Sequence, residues 1–122
     1  MPDKRKFLII GAGLSGLSVA IQLIRKGAAV SVVDNQINHS SLVAAGMMNP
    51  LVFKRMTKGW RVDDFIPYSK RFYSSIEEET GSRFFKAIQI RRMFSTENER
   101  EMWLGRQSDG RFSPYMETLT EE

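Results

Sequence analysis

The chain contains no cysteine, which excludes disulfides, thiol chemistry and cysteine-ligated metals. It has one histidine, His39. A single imidazole cannot build a metal cluster by itself, so His39 reads as a solvated loop residue and no metal site is expected. Long apolar runs are also missing. The N-terminal Met1-Pro2-Asp3-Lys4-Arg5-Lys6 is basic, but the apolar stretch behind it, Phe7 to Ile10, is too short for a signal-peptide core. No stretch reaches the ~20 apolar residues of a membrane-spanning helix. A membrane is therefore not an expected partner, and a cytoplasmic protein is the default expectation. Charge of one sign is concentrated nowhere. The 18 basic and 14 acidic residues are interspersed and leave a net charge of +4, weak evidence for a polyanionic partner. Internal repeats and low-complexity segments are absent too.

What is present is a chain of 122 residues, 42% hydrophobic and 26% charged, ordinary values for a globular domain with a modest core. Its organising stretch is Lys6 to Asp34. Phe7-Leu8-Ile9-Ile10 is a continuous apolar run, the pattern of a strand covered on both faces by helices. Gly11-Ala12-Gly13-Leu14-Ser15-Gly16 follows, then an apolar-periodic run to Lys26. Leu14, Leu17, Ile21 and Ile24 recur at helical spacing and are expected to form its buried stripe. Gly27 suits the position just past a helix, with Arg25 and Lys26 complementing the helix end. Ala28 to Val33 reads as a second parallel strand, joined by a right-handed crossover.

This strand, turn, helix and strand form the unit that binds the diphosphate and ribose of a dinucleotide. Gly11 permits the tight turn, Gly13 lets the backbone approach the diphosphate, and Gly16 lets the helix pack closely. Phosphates then meet the unpaired N–H groups and dipole of the helix N-terminus, at Leu14 and Ser15. Asp34 stands 18 residues after Gly16, near the spacing of the acid that accepts hydrogen bonds from a ribose diol. A carboxylate there would repel a 2′-phosphate, which disfavours an NADP-type ligand. The glycine fingerprint alone does not separate NAD from FAD. Asn35 to Ser41 is polar and loop-like. Ser41-Leu42-Val43-Ala44-Ala45-Gly46-Met47-Met48-Asn49-Pro50 then describes a small-residue segment whose backbone passes close to something bulky. An NAD-binding domain would instead run on into another helix and strand.

Gly11-x-Gly13-x-x-Gly16 with Asp34, followed by Ser41-x-x-Ala44-Ala45-Gly46-Met47-Met48-x-Pro50, resembles the FAD-dependent oxidoreductases of the D-amino-acid oxidase superfamily. The likeness is strongest to the glycine oxidase branch and to the oxidase domain of the bifunctional bacterial enzyme that modifies a tRNA wobble uridine. The resemblance implies FAD as cofactor. It places Gly11, Ala12, Gly13, Leu14, Ser15, Gly16, Asp34 and Asn35 at its ADP half, and Ser41, Ala45, Gly46 and Met47 near the ribityl chain or isoalloxazine. Met47 and Met48 have core packing as their alternative. Two departures are visible. The ribose acid, often glutamate in the family, is aspartate here. An arginine that often follows the serine/threonine pair is Leu42.

The resemblance further implies oxidation of a small amine or amino acid, with hydride passing to flavin N5, and names no catalytic residue within these 122 positions. It implies that the chain is the N-terminal part of a longer enzyme, with the substrate-binding residues elsewhere and Thr120-Glu121-Glu122 an interruption rather than a natural end. On this reading the chain alone is not active. The expected fold class is α/β: a Rossmann-like βαβ domain with a parallel sheet, plus part of an α+β substrate domain.

The remaining elements follow from pattern. Lys54, Arg55, Lys58 and Arg61 surround Gly59-Trp60. A basic loop with one aromatic could touch nucleic acid by phosphate contacts and stacking; the plainer reading is a solvated loop with Trp60 folded onto the body. A tRNA partner is accordingly the lesser expectation beside a small-molecule substrate. Asp63 or Asp64 can cap a helix over 64–80, with Pro67 in its first turn and Gly81 ending it. Glu77, Glu78 and Glu79 read as a solvated cluster. Residues 87–94 alternate well enough for a strand. Thr96-Glu97-Asn98-Glu99 is a capping-box pattern that opens a helix over 97–106, with Met102 and Trp103 on its buried side. A non-catalytic module that binds an adenine dinucleotide is the reading from another functional class.

Overall fold

The computed structural model describes residues 5–37 and 40–117. They belong to two compact units, one up to Met47 and one from Met48 onward. His39 and Thr120-Glu121-Glu122 lie outside the described residues.

The first unit is a βαβ arrangement followed by one short helix. Strand β1 spans Lys6–Ile10, helix α1 Leu14–Arg25, strand β2 Ala29–Val33 and helix α2 Ser40–Val43. β1 and β2 pair in parallel, with Phe7 opposite Val30, Ile9 opposite Val32 and Ile10 opposite Val33. Gly11 extends the ladder by donating its N–H to the Val33 carbonyl at 2.8 Å. α1 ends as its composition dictates. Gly27 takes φ +79° and donates to the Ile24 carbonyl at 2.8 Å, with Arg25 in the last turn.

Burial in this unit differs from the expectation. Ala20 is the one buried residue of α1, while Leu14, Leu17 and Ile24 are exposed. β1 is likewise not covered on both faces: only Ile9 is even half-buried, and Ile10 is 85% exposed. The reason is the width of the sheet. Two strands present one face to one helix, so apolar residues on the opposite face, Leu8 and Ile10, have nothing from this unit against them. A parallel pair normally has both faces covered.

The second unit opens on a small antiparallel hairpin. Strands β3, Leu51–Val52, and β4, Thr57–Lys58, pair with Leu51 opposite Lys58. Its core joins Leu51 and Met56 to Phe112 and Met116, with Phe53, Trp103 and Tyr115 packed against them. Helix α3 covers Val62–Thr80, two residues earlier than the capping acids suggested. Arg61, at φ 48°, is its N-cap, and no side chain caps it. The start is fixed instead by the Gly59-Trp60-Arg61 turn, whose carbonyls at Gly59 and Arg61 take the N–H groups of Val62, Asp64 and Phe65. Pro67 consequently stands beyond the first turn, where its ring costs the helix a hydrogen bond. Asp63 and Asp64 lie in that first turn, the favourable end of the dipole. Gly81, at φ +67°, closes the helix.

Residues 87–94 do not form a strand. Alternation supplies the pattern, but a strand needs a neighbour for its backbone groups, and none pairs with this segment among the described residues. Side chains hold it instead. Arg92 lies over the rings of Phe53 and Trp103 and pairs with Glu99 at 3.4 Å. Helix α4 spans Glu97–Gln107. Half of its capping box forms: Thr96 Oγ1 accepts from the Glu99 N–H at 3.2 Å, while the Glu99 carboxylate accepts from the N–H of Ser95, one residue before the cap, at 3.0 Å. Trp103 packs between Phe53 and Phe94, whereas Met102 is exposed. A 3₁₀ turn, Ser113–Tyr115, follows.

Two acids of this unit hold positions that periodicity concealed. Glu77 is buried, not solvated. Its Oε1 accepts from the N–H groups of Phe84 and Phe85, at 2.7 and 2.8 Å. These two bonds, Phe85 first, hold its carboxyl below the ordinary glutamate range, with Arg83 assisting. Asp63 pairs with Lys58 and accepts from the Tyr115 hydroxyl at 2.7 Å. Lys58, and after it Tyr115, lowers the Asp63 carboxyl. Burial, and after it Asp63, pushes the Tyr115 phenol up to about 12. Among the described residues, no helix is long and apolar enough to cross a membrane, and no three histidine, cysteine or acidic side chains are placed to hold a metal ion.

Candidate dinucleotide-binding site

The glycine turn sits at the carboxyl ends of the two parallel strands, where open α/β sheets receive ligands. Gly11 leaves β1 with φ +101°, a conformation that L side chains rarely adopt. The chain then enters α1 at once, with Gly13 as N-cap and no side chain of its own to cap the helix. The first intrahelical bond runs from the Leu17 N–H to the Gly13 carbonyl at 3.0 Å. The N–H groups of Leu14, Ser15 and Gly16 therefore lie ahead of the ladder and point out of the helix start.

Gly16 is required by space. A Cβ built there would lie 2.0 Å from the Gly11 carbonyl oxygen and 3.3 Å from Ile9 Cγ2. No side chain fits between α1 and the turn it crosses. Gly13 has a different neighbour, since a Cβ there would come within 3.2 Å of Ser41 Oγ.

Two oxygens from elsewhere in the unit meet this turn. Asp34, just past β2, accepts the Ala12 N–H on Oδ2 at 2.6 Å and the Gln36 N–H on Oδ1 at 2.6 Å. Asn35 Oδ1 accepts from the Ile37 N–H at 3.0 Å, so two overlapping side-chain turns follow β2. Ser41, in α2, accepts the Leu14 N–H on Oγ at 3.0 Å. The structure thus brings Gly11 to Gly16, Asp34 and Ser41 together. Sequence spacing anticipated Asp34 at the turn but not its bond to Ala12. Ser41, expected from the resemblance toward the flavin end, lies here against the helix start.

Ala45, Gly46 and Met47 continue the segment beyond α2 and are exposed. A Cβ on Gly46 would meet nothing within 4 Å, and what this position demands is its φ of +67°. The glycine there reflects a backbone turn, not close approach to another part of the chain. Met47 is 60% exposed, which excludes core packing for it within this structure.

The family model for FAD dependent oxidoreductases (DAO) matches residues 6–122. The chain belongs to this family. FAD is accordingly its cofactor. No solved structure gives a significant match. The turn of this FAD-dependent oxidoreductase fits such a cofactor on its own geometry. It already takes oxygen ligands at alternate N–H groups, from a carboxylate at Ala12 and a hydroxyl at Leu14. A diphosphate offers oxygens of the same kind, and a helix start favours their charge.

Proposed function

We propose that the Gly11–Gly16 turn binds the diphosphate of FAD and that the Asp34 carboxylate accepts the adenosine ribose hydroxyls. Asn35 lies beside that ribose, Ser41 stands where the diphosphate passes into the ribityl chain, at the Leu14 N–H, and Ala45, Gly46 and Met47 border the ribityl and flavin end. The observation that carries this reading is the convergence of Gly13, the Leu14 N–H and Asp34 on one turn that has no room for a side chain at Gly16. Asp34 can serve both the turn and a ribose, because each carboxylate oxygen has two lone pairs.

The intact enzyme, on this proposal, oxidises a small amine or amino acid in the manner of glycine oxidase. The bound flavin supplies the electron acceptor for that chemistry. The residues of this chain hold and orient it; the substrate is gripped by a further α+β domain, of which 48–122 contributes a part. We assign no proton-transfer role to any residue between Met1 and Glu122.

The test is direct. Purified protein should carry flavin absorbance or take it up from added FAD. Replacement of Asp34 by Asn should weaken ADP and FAD alike, since an amide NH₂ would face the N–H of Ala12 or Gln36. Losing these charge-assisted bonds should cost ~1–3 kcal/mol. Unchanged affinity for both ligands would remove Asp34 from the site.

A second reading, oxidation of a modified tRNA wobble uridine, draws on Trp60. This ring is 78% exposed, edge-on to Phe65 at 5.3 Å, with the Arg61 guanidinium above it. Against it, Lys58 and Arg61 are already paired with Asp63 and Asp64, which reduces the charge the loop can offer to phosphates. Steeply salt-dependent tRNA binding would favour this reading.

A further inference from the structure

We infer that Ser41 is a latch. Its hydroxyl pins the Ser40–Met47 segment to the start of α1, and so couples the flavin-side segment to the diphosphate turn. The inference rests on the proposed site and adds a positioning residue to it. Four observations support it. α1 has no capping side chain of its own, because its N-cap is Gly13. The cap comes instead from 27 residues away, as the Leu14 N–H donates to Ser41 Oγ at 3.0 Å. The bare face of Gly13 is where Ser41 rests, 3.2 Å from the place a Cβ would occupy. Helix α2 has only four residues, and among the described residues the Ala44 N–H donates to the Ser40 carbonyl at 3.0 Å at its end. An element this short does not hold a position by itself, and its residues are all exposed. Among the described hydrogen bonds, the one from Leu14 to Ser41 is what ties this segment to the turn.

The consequence separates two ligands that share a diphosphate. An arriving phosphate oxygen competes with Ser41 Oγ for the Leu14 N–H, while the Ser41 O–H can donate to that same phosphate. For ADP, removal of the hydroxyl costs one donor and frees one N–H, two effects of opposite sign. FAD also uses the segment beyond Ser41, and it must then bear the cost of ordering that segment.

Binding of ADP and of FAD to the full chain should be measured by titration calorimetry for wild type, Ser41→Ala and Ser41→Thr. For Ser41→Ala the expected result is an ADP affinity within roughly threefold of wild type and an FAD affinity at least roughly fivefold weaker, the loss of one ordinary hydrogen bond. Ser41→Thr, which keeps the hydroxyl, should restore FAD. In ligand-free Ser41→Ala the Leu14 amide should exchange faster with solvent. Equal losses for both ligands would make Ser41 a phosphate contact and nothing more; this overturns the latch and leaves the FAD site standing. Unchanged affinity for both overturns it as well. Wild-type protein that binds neither ligand would overturn the site and the latch together.

Discussion

Gly16 offers the sharpest test of the geometry, because substitution by alanine pulls stability in two directions. Alanine is the better helix former, and replacing glycine inside a helix gains up to ~1 kcal/mol. That gain is what Gly16→Ala would give if α1 stood clear of the turn. The structure says otherwise. The new methyl would lie 2.0 Å from the Gly11 carbonyl oxygen, where ordinary contact begins near 3.4 Å. Helix and turn must then part by about 1.4 Å, and both are backbone, which cannot swing aside as a side chain can. Overpacking of this kind costs ~1–3 kcal/mol. The net expectation is a loss of up to ~2 kcal/mol. FAD should suffer more than tenfold, because the same movement displaces the N–H groups at Ala12 and Leu14. Gly105→Ala is the internal control. Gly105 lies within α4, a Cβ there meets nothing within 4 Å, and its φ is not positive. This variant should be more stable by up to ~1 kcal/mol. Urea denaturation followed by circular dichroism reads both signs, and flavin fluorescence reads the affinity. A stabilised Gly16→Ala protein with normal FAD binding would refute the close crossing of α1 over Gly11.

The second unit offers three further checks. Glu77 has a lowered carboxyl pKa because it accepts from Phe85 and Phe84. Its contribution is therefore complete above the ordinary glutamate range and is lost as pH falls through the lower folded value. Glu77→Gln should flatten the acid limb of a urea-midpoint against pH plot, and an unaltered limb would contradict the assignment. Tyr115 runs the other way. Its phenol is raised to about 12, so its stabilisation is complete below the ordinary tyrosine range and disappears as pH rises through about 12. The latest phenolate absorbance in an alkaline titration should be missing from Tyr115→Phe; a component lost near pH ~10 instead would argue against the bond to Asp63. Thr96→Ala should cost ~1 kcal/mol through loss of the α4 cap, measured as a shift in the unfolding midpoint.

The βαβ unit was legible because each of its parts depends on neighbours close in sequence. The apolar run into Gly11, the periodic stretch to Lys26 and the cap at Gly27 are local signals, and the structure places strand, helix and strand on them. The α4 cap was readable for the same reason. What failed was whatever needed a distant partner. Residues 87–94 alternate, but alternation cannot supply a neighbouring strand. The stripe of Leu14, Leu17 and Ile24 is periodic, but periodicity does not say how wide a sheet lies beneath it. Glu77 follows the half-buried Tyr73 by four residues and so shares its helix face, a hint outweighed by the run of three glutamates. Arg61 could not be foreseen as an N-cap, because a left-handed arginine leaves no mark in composition.

The site itself combines the two kinds of information. Glycines at 11 and 16 encode a turn that is fixed before any ligand arrives, one by its φ and the other by lack of space. Asp34 and Ser41 then reach the turn from 22 and 27 residues away and place their oxygens on its N–H groups. On the proposed reading a diphosphate meets a turn already shaped by a carboxylate and a hydroxyl, and its oxygen replaces Ser41 Oγ on the Leu14 N–H with an interaction of the same kind. Preorganisation of this kind lowers the cost of binding. The short arm of Asp34, starting at the end of β2, reaches the Ala12 N–H at 2.6 Å while its second oxygen closes the turn at Gln36 at 2.6 Å.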